Sequence, residues 1–227
     1  MEYPLSLQEA HAVDEVFAEK AIKRIADCNL CVNNPDFNPQ SSEMKEMRMI
    51  NCKSANDYGP STKAVETIYL AEAPPHMNRY IYRLNTPLAT QPHSLPYIIQ
   101  EDLKKEGVLD PNWNAGLAPG STDEKKEFLR LLKSEGILIL DCCHCVTGLD
   151  KPGLRMKYVR KCFDRCASRF LVDIVKGRDV EVVCCYASPK KLLRRQKSGF
   201  KKTCDRNGLT VWKYSSLASS TKGHERQ

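Results

Sequence analysis

Four short apolar runs, separated by stretches of helical pattern, limit the folds open to this chain more than any other feature. The runs are Thr67–Ala71, Gly136–Asp141, Val180–Cys185 and Leu209–Lys213. Each has the length of a strand and is largely apolar, which is typical of strands buried on both faces. Strands that alternate with helices form parallel sheets covered by those helices. We therefore predict an α/β fold, a three-layer α/β/α arrangement around a central, mainly parallel four-stranded sheet.

Helical patterns surround these runs. They are predicted at 5–27, Pro96–Gly107, Asp123–Ser134, Leu154–Lys176 and Ala187–Gln196. Region 83–122 is predicted to be a long, proline-rich insertion. We expect residues 1–217 to form a single domain, with 1–31 supplying an N-terminal helix and two cysteines, and 218–227 to form a polar, disordered tail.

The charge balance and the lack of a long apolar run narrow the classes of partner and location. The formal net charge is +7, which favours a polyanionic partner through contacts to phosphate. Basic residues are dense between Lys190 and Lys202, either as a solvated helix face or as a contact to a DNA backbone. The chain has no apolar run of about 18 residues and no secretory signal, so we expect a cytoplasmic protein with no membrane partner.

Eleven cysteines are many for a chain expected in the cytosol. Disulfides are disfavoured there, so metal binding or catalysis is the better expectation, although some cysteines can simply be small buried apolar residues. In parallel sheets, ligands bind beyond the carboxyl ends of the strands. Chemistry is therefore expected just after Ala71, Asp141, Cys185 and Lys213.

A short acidic and proline-rich motif follows the first run, and two tyrosines come soon after it: Ala71-Glu72-Ala73-Pro74-Pro75-His76, Tyr80 and Tyr82. The motif resembles the first active-site motif of the uracil-DNA glycosylase superfamily, whose iron–sulfur branch carries Gly-Glu-Ala-Pro-Gly. Glu72, Ala73 and Pro74 match it, whereas Ala71 and Pro75 replace the glycines. The resemblance implies that Glu72 is catalytic, that the backbone of this turn approaches the flipped nucleotide, and that Tyr80 or Tyr82 stacks on the base. A proline-rich turn, with tyrosines at the edge of the core, is the alternative.

The cysteine spacing is similar to that of the same iron–sulfur branch. Its members have a Cys-x-x-Cys pair after an N-terminal helix, a third cysteine four positions after the base-reading residue, and a fourth about sixteen residues further on. The matching cysteines here are Cys28, Cys31, Cys145 and Cys162. The resemblance implies that their thiolates hold a structural [4Fe–4S] cluster, with Cys166 as the reserve fourth ligand. Zinc is the alternative metal for the same four thiolates.

Two departures from the superfamily pattern bear on the substrate. Asp141 stands where members commonly have a base-reading asparagine, and Ser215 and Ser216 stand where they have His-Pro. A carboxylate only accepts hydrogen bonds, so it suits the amino group of cytosine better than O4 of uracil. With the histidine missing, His76 and His144 are the candidate donors to the departing base, and Ser215 is a candidate contact to the flanking phosphate.

The resemblance implies a DNA glycosylase that hydrolyses an N-glycosidic bond, and the two departures favour a modified base over uracil. We expect the protein to be a monomer. The base is expected to have a cytosine-like edge, as in modified phage DNA. A conventional uracil-DNA glycosylase of base excision repair is one alternative. A non-catalytic nucleic-acid-binding protein of the same fold is a second, and a zinc-stabilised scaffold without a DNA role is a third.

Overall fold

The computed structural model describes the central part of the chain, from which several loops are excluded. The described residues are 59–60, 64–72, 81–84, 88, 94–113, 121–143, 156–157, 159–160, 162–163, 171 and 179–193, with the backbone of 212–214. The predicted helix at 5–27 and the predicted tail at 218–227 lie outside them. Within the described part of the chain, no helix combines the length and the apolar character needed to cross a membrane.

The elements whose bounds the structure gives follow one another in the order predicted for an α/β fold. They are β1 (Thr67–Ala71), α1 (Leu95–Lys105), α2 (Thr122–Ser134), β2 (Ile137–Asp141), β3 (Glu181–Cys184), α3 (Ala187–Leu193) and β4 (Trp212–Tyr214). Strand β1 has the predicted bounds, and α1, α2, β2 and β3 differ from prediction by one or two residues at an end. The insertion predicted at 83–122 contains all of α1. The described residues of the predicted helix Leu154–Lys176 include Val159 and Leu171, which are helical.

The strands form one parallel sheet in the order β2-β1-β3-β4, which confirms the prediction of an α/β fold with a parallel sheet. Strand β1 lies between β2 and β3, with Ala71 beside Asp141 and Leu70 beside Cys184. The short β4 pairs with β3 on the side away from β1. The chain thus crosses from β1 to one side of the sheet and then to the other, which makes the β1/β3 boundary a topological switch point.

One face of the sheet packs against α1 and α2. Tyr69, Ile139 and Val183 lie on this face because they occupy paired register positions in β1, β2 and β3. They belong to one apolar cluster with residues of both helices, chiefly Ile98, Ile99, Leu103, Phe128, Leu129 and Leu132. Burial of each such side chain stabilises the fold by about 1.5–3 kcal/mol.

The central strand is buried on its other face too. Ile68 and Leu70 have no exposed surface, and Val182 beside Ile68 is 3 % exposed. Strand β2 differs from the prediction of a fully buried strand, because Leu138 and Leu140 are only half-buried. The position of β2 at the edge of the sheet explains this difference, since an edge strand has a neighbour on one side only.

The connection from α2 to β2 depends on a glycine. Gly136 has a φ of 62°, in the left-handed region that favours glycine, and its carbonyl accepts a hydrogen bond from the N–H of Glu66 at 2.9 Å. A Cβ at this position would collide with the carbonyl oxygen of Ala64. The tight turn carries the chain from α2 straight into β2, so the first turn of α2 lies toward the end of the sheet where β2 finishes.

Candidate active site at the carboxyl ends of the strands

Backbone hydrogen bonds hold the end of β1 from both sides. The N–H of Cys142 donates to the carbonyl of Ala71 at 2.9 Å, and the N–H of Cys143 donates to that of Glu72 at 3.0 Å. On the other side, the N–H of Cys185 donates to the carbonyl of Leu70 at 3.1 Å. These bonds extend the pairing past the last residue of each strand. The backbone of Glu72 is therefore fixed at the predicted position for chemistry.

The side chain of Glu72 is held by a serine that lies far from it in the sequence. Ser188, the second residue of α3, donates its hydroxyl hydrogen bond to Oε2 of Glu72, and the contact is partly buried. Glu72 extends β1, and Ser188 follows β3, so the bond spans the switch point between these two strands. A half-buried carboxylate at this position can meet a ligand without leaving its hydrogen-bond partner.

Asp141 lies at the same end of the sheet and is nearly inaccessible. It is the last residue of β2, it pairs with Ala71, and it is 5 % exposed. Neighbouring strands lie about 4.8 Å apart, so Asp141 is one strand spacing from the residue that precedes Glu72. The two predicted catalytic carboxylates therefore lie at adjacent strand ends, one half-buried and the other buried.

Tyr82 packs against the edge of the sheet and is hydrogen-bonded to β2. Its ring is fully buried, and its hydroxyl oxygen accepts a hydrogen bond from the N–H of Ile139 at 2.8 Å. This contact satisfies a backbone donor of β2 on the side where no other described strand pairs with it. Burial, and then the charge of Asp141, raise the pKa of Tyr82 above its usual range. To stack on a base, as the resemblance implies, the ring would have to leave this position.

A group of buried thiols surrounds the same strand ends. Cys142 and Cys143 follow β2, while Cys184 and Cys185 end β3, and all four are reduced and buried. Burial, and then the proximity of Cys184 and Asp141, raise the pKa of the Cys142 thiol well above its usual range. Burial is also the main cause that raises the pKa of Cys185. The thiols of Cys142 and Cys185 therefore stay protonated and are poor nucleophiles, so they act here as small apolar residues.

The predicted metal site is described at one ligand only. Cys162 is a reduced thiol, 5 % exposed, in the helical stretch where the prediction placed it. Its expected co-ligands Cys28, Cys31 and Cys145, and the reserve Cys166, lie outside the described residues. Among the residues that are described, no three Cys, His, Asp or Glu side chains are arranged to hold a metal ion. The burial of Cys162 is compatible with a ligand of an enclosed cluster and equally with a small apolar residue of the core.

The remaining predicted site residues also lie outside the described parts of the chain. They are Ala73, Pro74, His76, Tyr80, His144 and Ser215. Of the predicted set, the structure thus brings Ala71, Glu72 and Asp141 to one end of the sheet, whereas Tyr82 lies at its edge beside the middle of β2.

Two polar residues near this end were missed from the sequence. Ser188 belongs to no recognisable motif, so no sequence signal distinguishes it. Lys125, in the first turns of α2, is 2 % exposed and donates through Nζ to the carbonyl of Arg83 at 2.5 Å. Burial, and then the charge of Arg83, lower the pKa of Lys125 to about 8. A lysine one position after the acidic start of a helix looks like a solvated residue, and only the fold shows that segment 81–84 covers it.

Comparison of the chain with protein-family models, with curated proteins and with solved structures finds no match.

Proposed function

We propose that this protein is a DNA glycosylase of the uracil-DNA glycosylase type that excises a base with a cytosine-like edge. In this proposal it acts on DNA as a cytoplasmic monomer with a three-layer α/β/α fold. The main support is the position of Glu72. This carboxylate matches the first motif of that superfamily, and it lies at the carboxyl end of the central strand beside the switch point, where α/β proteins bind ligands.

The position of Glu72 suits the charge that develops during base release. A glycosylase must extract the nucleotide from the stack before it reaches the N-glycosidic bond. Rupture of that bond leaves positive charge on the sugar, as in glycoside hydrolysis. An ionised carboxylate held in place by the Ser188 hydroxyl offsets this charge, and it can orient the attacking water.

Asp141 is the proposed determinant of specificity. A carboxylate accepts hydrogen bonds but donates none, and contact with a base requires that the side chain of Asp141, which is 5 % exposed, be uncovered. The N4 amino group of cytosine is such a donor, whereas O4 of uracil would face the carboxylate with like polarity. Removal of plain cytosine would damage the host genome. The proposed substrate is therefore a modified cytosine, as in foreign DNA such as that of a phage.

The proposal includes a structural [4Fe–4S] cluster held by Cys28, Cys31, Cys145 and Cys162. When bound, the cluster would tie the N-terminal segment to the loop after β2 without taking part in redox chemistry. Zinc bound to the same thiolates is the competing assignment. Visible absorbance and metal analysis of protein purified without oxygen distinguish the two, because a colourless protein with one zinc per chain contradicts the cluster.

The direct test of the function is a base-release assay on defined duplexes. Duplexes that contain uracil, cytosine or modified cytosines are incubated with the protein, and abasic sites are detected by alkaline cleavage. We expect release of at least one modified cytosine and little release of uracil. Efficient release of uracil alone identifies a conventional uracil glycosylase, and duplex binding without release of any base identifies a non-catalytic DNA-binding protein.

Glu72→Gln tests whether the activity belongs to this site. The amide is nearly the same size but carries no charge, so we expect base release to fall by about 10²-fold or more while duplex binding persists. A variant that remains as active as the wild type contradicts the assignment of Glu72.

Asp141→Asn tests the reading of the base. An asparagine can donate to O4 of uracil, so the ratio of uracil release to modified-cytosine release should increase about tenfold or more. The same duplexes serve for this comparison, and the melting temperature shows whether the buried substitution has perturbed the fold. An unchanged ratio in a folded variant removes Asp141 from base reading.

A further inference from the structure

We infer that Ser188 is the positioning residue of the candidate active site, because it fixes the carboxylate of Glu72 in the orientation that base release requires. This inference rests on the proposed function, which it deepens. Nothing in the sequence motifs points to this serine. It is brought to Glu72 only by the strand order of the sheet.

The hydroxyl of Ser188 donates to Oε2 of Glu72, and both side chains are partly buried. A hydroxyl that donates to an ionised carboxylate makes a charge-assisted hydrogen bond, which is stronger than a bond between neutral groups. A glutamate has several rotatable bonds, so an anchor on one oxygen removes much of the freedom that would otherwise move the charge away from the sugar.

Ser188 is itself held rigidly in place. Helix α3 carries Ser188 in its first turn, and the helix is fastened by Leu192 and Leu193, which are 1 % and 3 % exposed. The turn that precedes the helix is fixed to β1 by the hydrogen bond from Cys185 to Leu70. The position and orientation of a functional group are more precisely defined when its hydrogen-bond partner is itself held by packing and backbone hydrogen bonds.

The backbone and the side chain of Glu72 are held from opposite sides of β1. The backbone of Glu72 is held from the β2 side by the N–H of Cys143, while its side chain is held from the β3 side by Ser188. Glu72 is thereby supported on both sides of the central strand β1. Loss of the Ser188 hydroxyl removes this hydrogen bond and leaves the backbone support intact.

The test compares Ser188→Ala with Ser188→Thr. The alanine variant lacks the hydroxyl, and the threonine variant keeps it. We expect Ser188→Ala to slow single-turnover base release about tenfold, with the affinity for a duplex bearing a tetrahydrofuran abasic analogue unchanged within a factor of two. Ser188→Thr should restore most of the rate. Equal rates for Ser188→Ala and the wild type, or an equal loss in Ser188→Thr, overturn the inference.

Ser134→Ala is the matched control. Ser134 is exposed at the far end of α2, and its hydroxyl donates to the carbonyl of Leu131 at 2.9 Å. The substitution therefore deletes the same atom and one hydrogen bond away from the candidate site. Ser134→Ala should leave the rate of base release unchanged. A tenfold loss in this control would show that deleting a serine hydroxyl lowers the rate without acting through Glu72.

A double-mutant cycle separates the contact from the catalytic proposal. The melting temperatures of Glu72→Ala, which removes the acceptor, of Ser188→Ala and of the double variant are measured without DNA. If the two side chains are bonded, the loss in the double variant is smaller than the sum of the single losses. Additive losses overturn the inference even in an active enzyme, whereas a wild-type protein that releases no base contradicts the proposed function while the cycle still decides the contact.

Discussion

At the scale of single residues, one tyrosine shows how a side chain that looks functional in the sequence can be structural. Tyr82 lies close after a motif that resembles a glycosylase active site, but its hydroxyl accepts the hydrogen bond of an unpaired strand N–H. Because β2 lies at the edge of the described sheet, this N–H needs an acceptor outside the sheet. A buried N–H without an acceptor is costly. The hydroxyl of Tyr82 therefore does for β2 what a further strand would do.

Tyr82→Phe should lower the free energy of unfolding by about 1–2 kcal/mol. The substitution keeps the buried ring but leaves the N–H of Ile139 without this acceptor. Urea denaturation followed by circular dichroism measures the change. Tyr97→Phe, on the half-buried side of α1, is the matched control and should change stability by less than about 0.5 kcal/mol. Equal losses in both variants would contradict the capping role of Tyr82.

At the scale of elements, local pattern predicted what each segment is but not where it lies in the sheet. The run Thr67–Ala71 has the predicted bounds, because its buried character on both faces comes from a continuous apolar sequence. The alternating exposure of β2 was missed, since exposure depends on which strands are neighbours and the sequence pattern of Ile137–Asp141 is apolar throughout.

The candidate site could be predicted only in the parts that lie next to a strand end. Glu72 and Asp141 follow apolar runs, so their place at one end of a parallel sheet follows from the pattern alone. Ser188 could not be predicted, since its partner lies 116 residues away and is selected by the strand order. Lys125 could not be predicted either, because its burial depends on the path of segment 81–84.

Gly136→Ala should lower the free energy of unfolding by about 3 kcal/mol. The residue has a positive φ, and an added methyl group would collide with the backbone carbonyl of Ala64, which has no side-chain freedom to yield. Gly107→Ala is the control, because Gly107 also has a positive φ but its Cβ would meet no atom within 4 Å. The control should lose only about 1 kcal/mol. Similar losses at both positions, measured by thermal denaturation, would contradict the proposed steric cause.

At the scale of the whole molecule, the buried Lys125 links stability to pH. Burial lowers its pKa to about 8 from a usual value of 10.5, so the folded protein holds this proton less tightly than the unfolded chain does. Between these two values the unfolded chain binds more protons, and the contribution of Lys125 to stability therefore increases as the pH rises. Below pH 8 the full penalty for the buried charge is present.

Lys125→Met should remove this dependence. The stability of the variant relative to the wild type should fall by about 2 kcal/mol between pH 7 and pH 10. Any change in the strength of the hydrogen bond to Arg83 with protonation is already contained in the pKa of Lys125. Chemical denaturation at the two pH values gives the difference. A constant difference would show that Lys125 has the same pKa in the folded and unfolded states.

The strand order also has a consequence for how the chain is made. The central strand β1 emerges from the ribosome first, but its partners follow about 70 and about 110 residues later. At about 5–20 residues per second, the segment Thr67–Ala71 waits several seconds for β2 and longer for β3. Throughout that interval an apolar strand with two open edges is exposed in the nascent chain. Yield during expression should therefore depend on chaperone supply, and slower translation of the segment between β1 and β2 should increase aggregation.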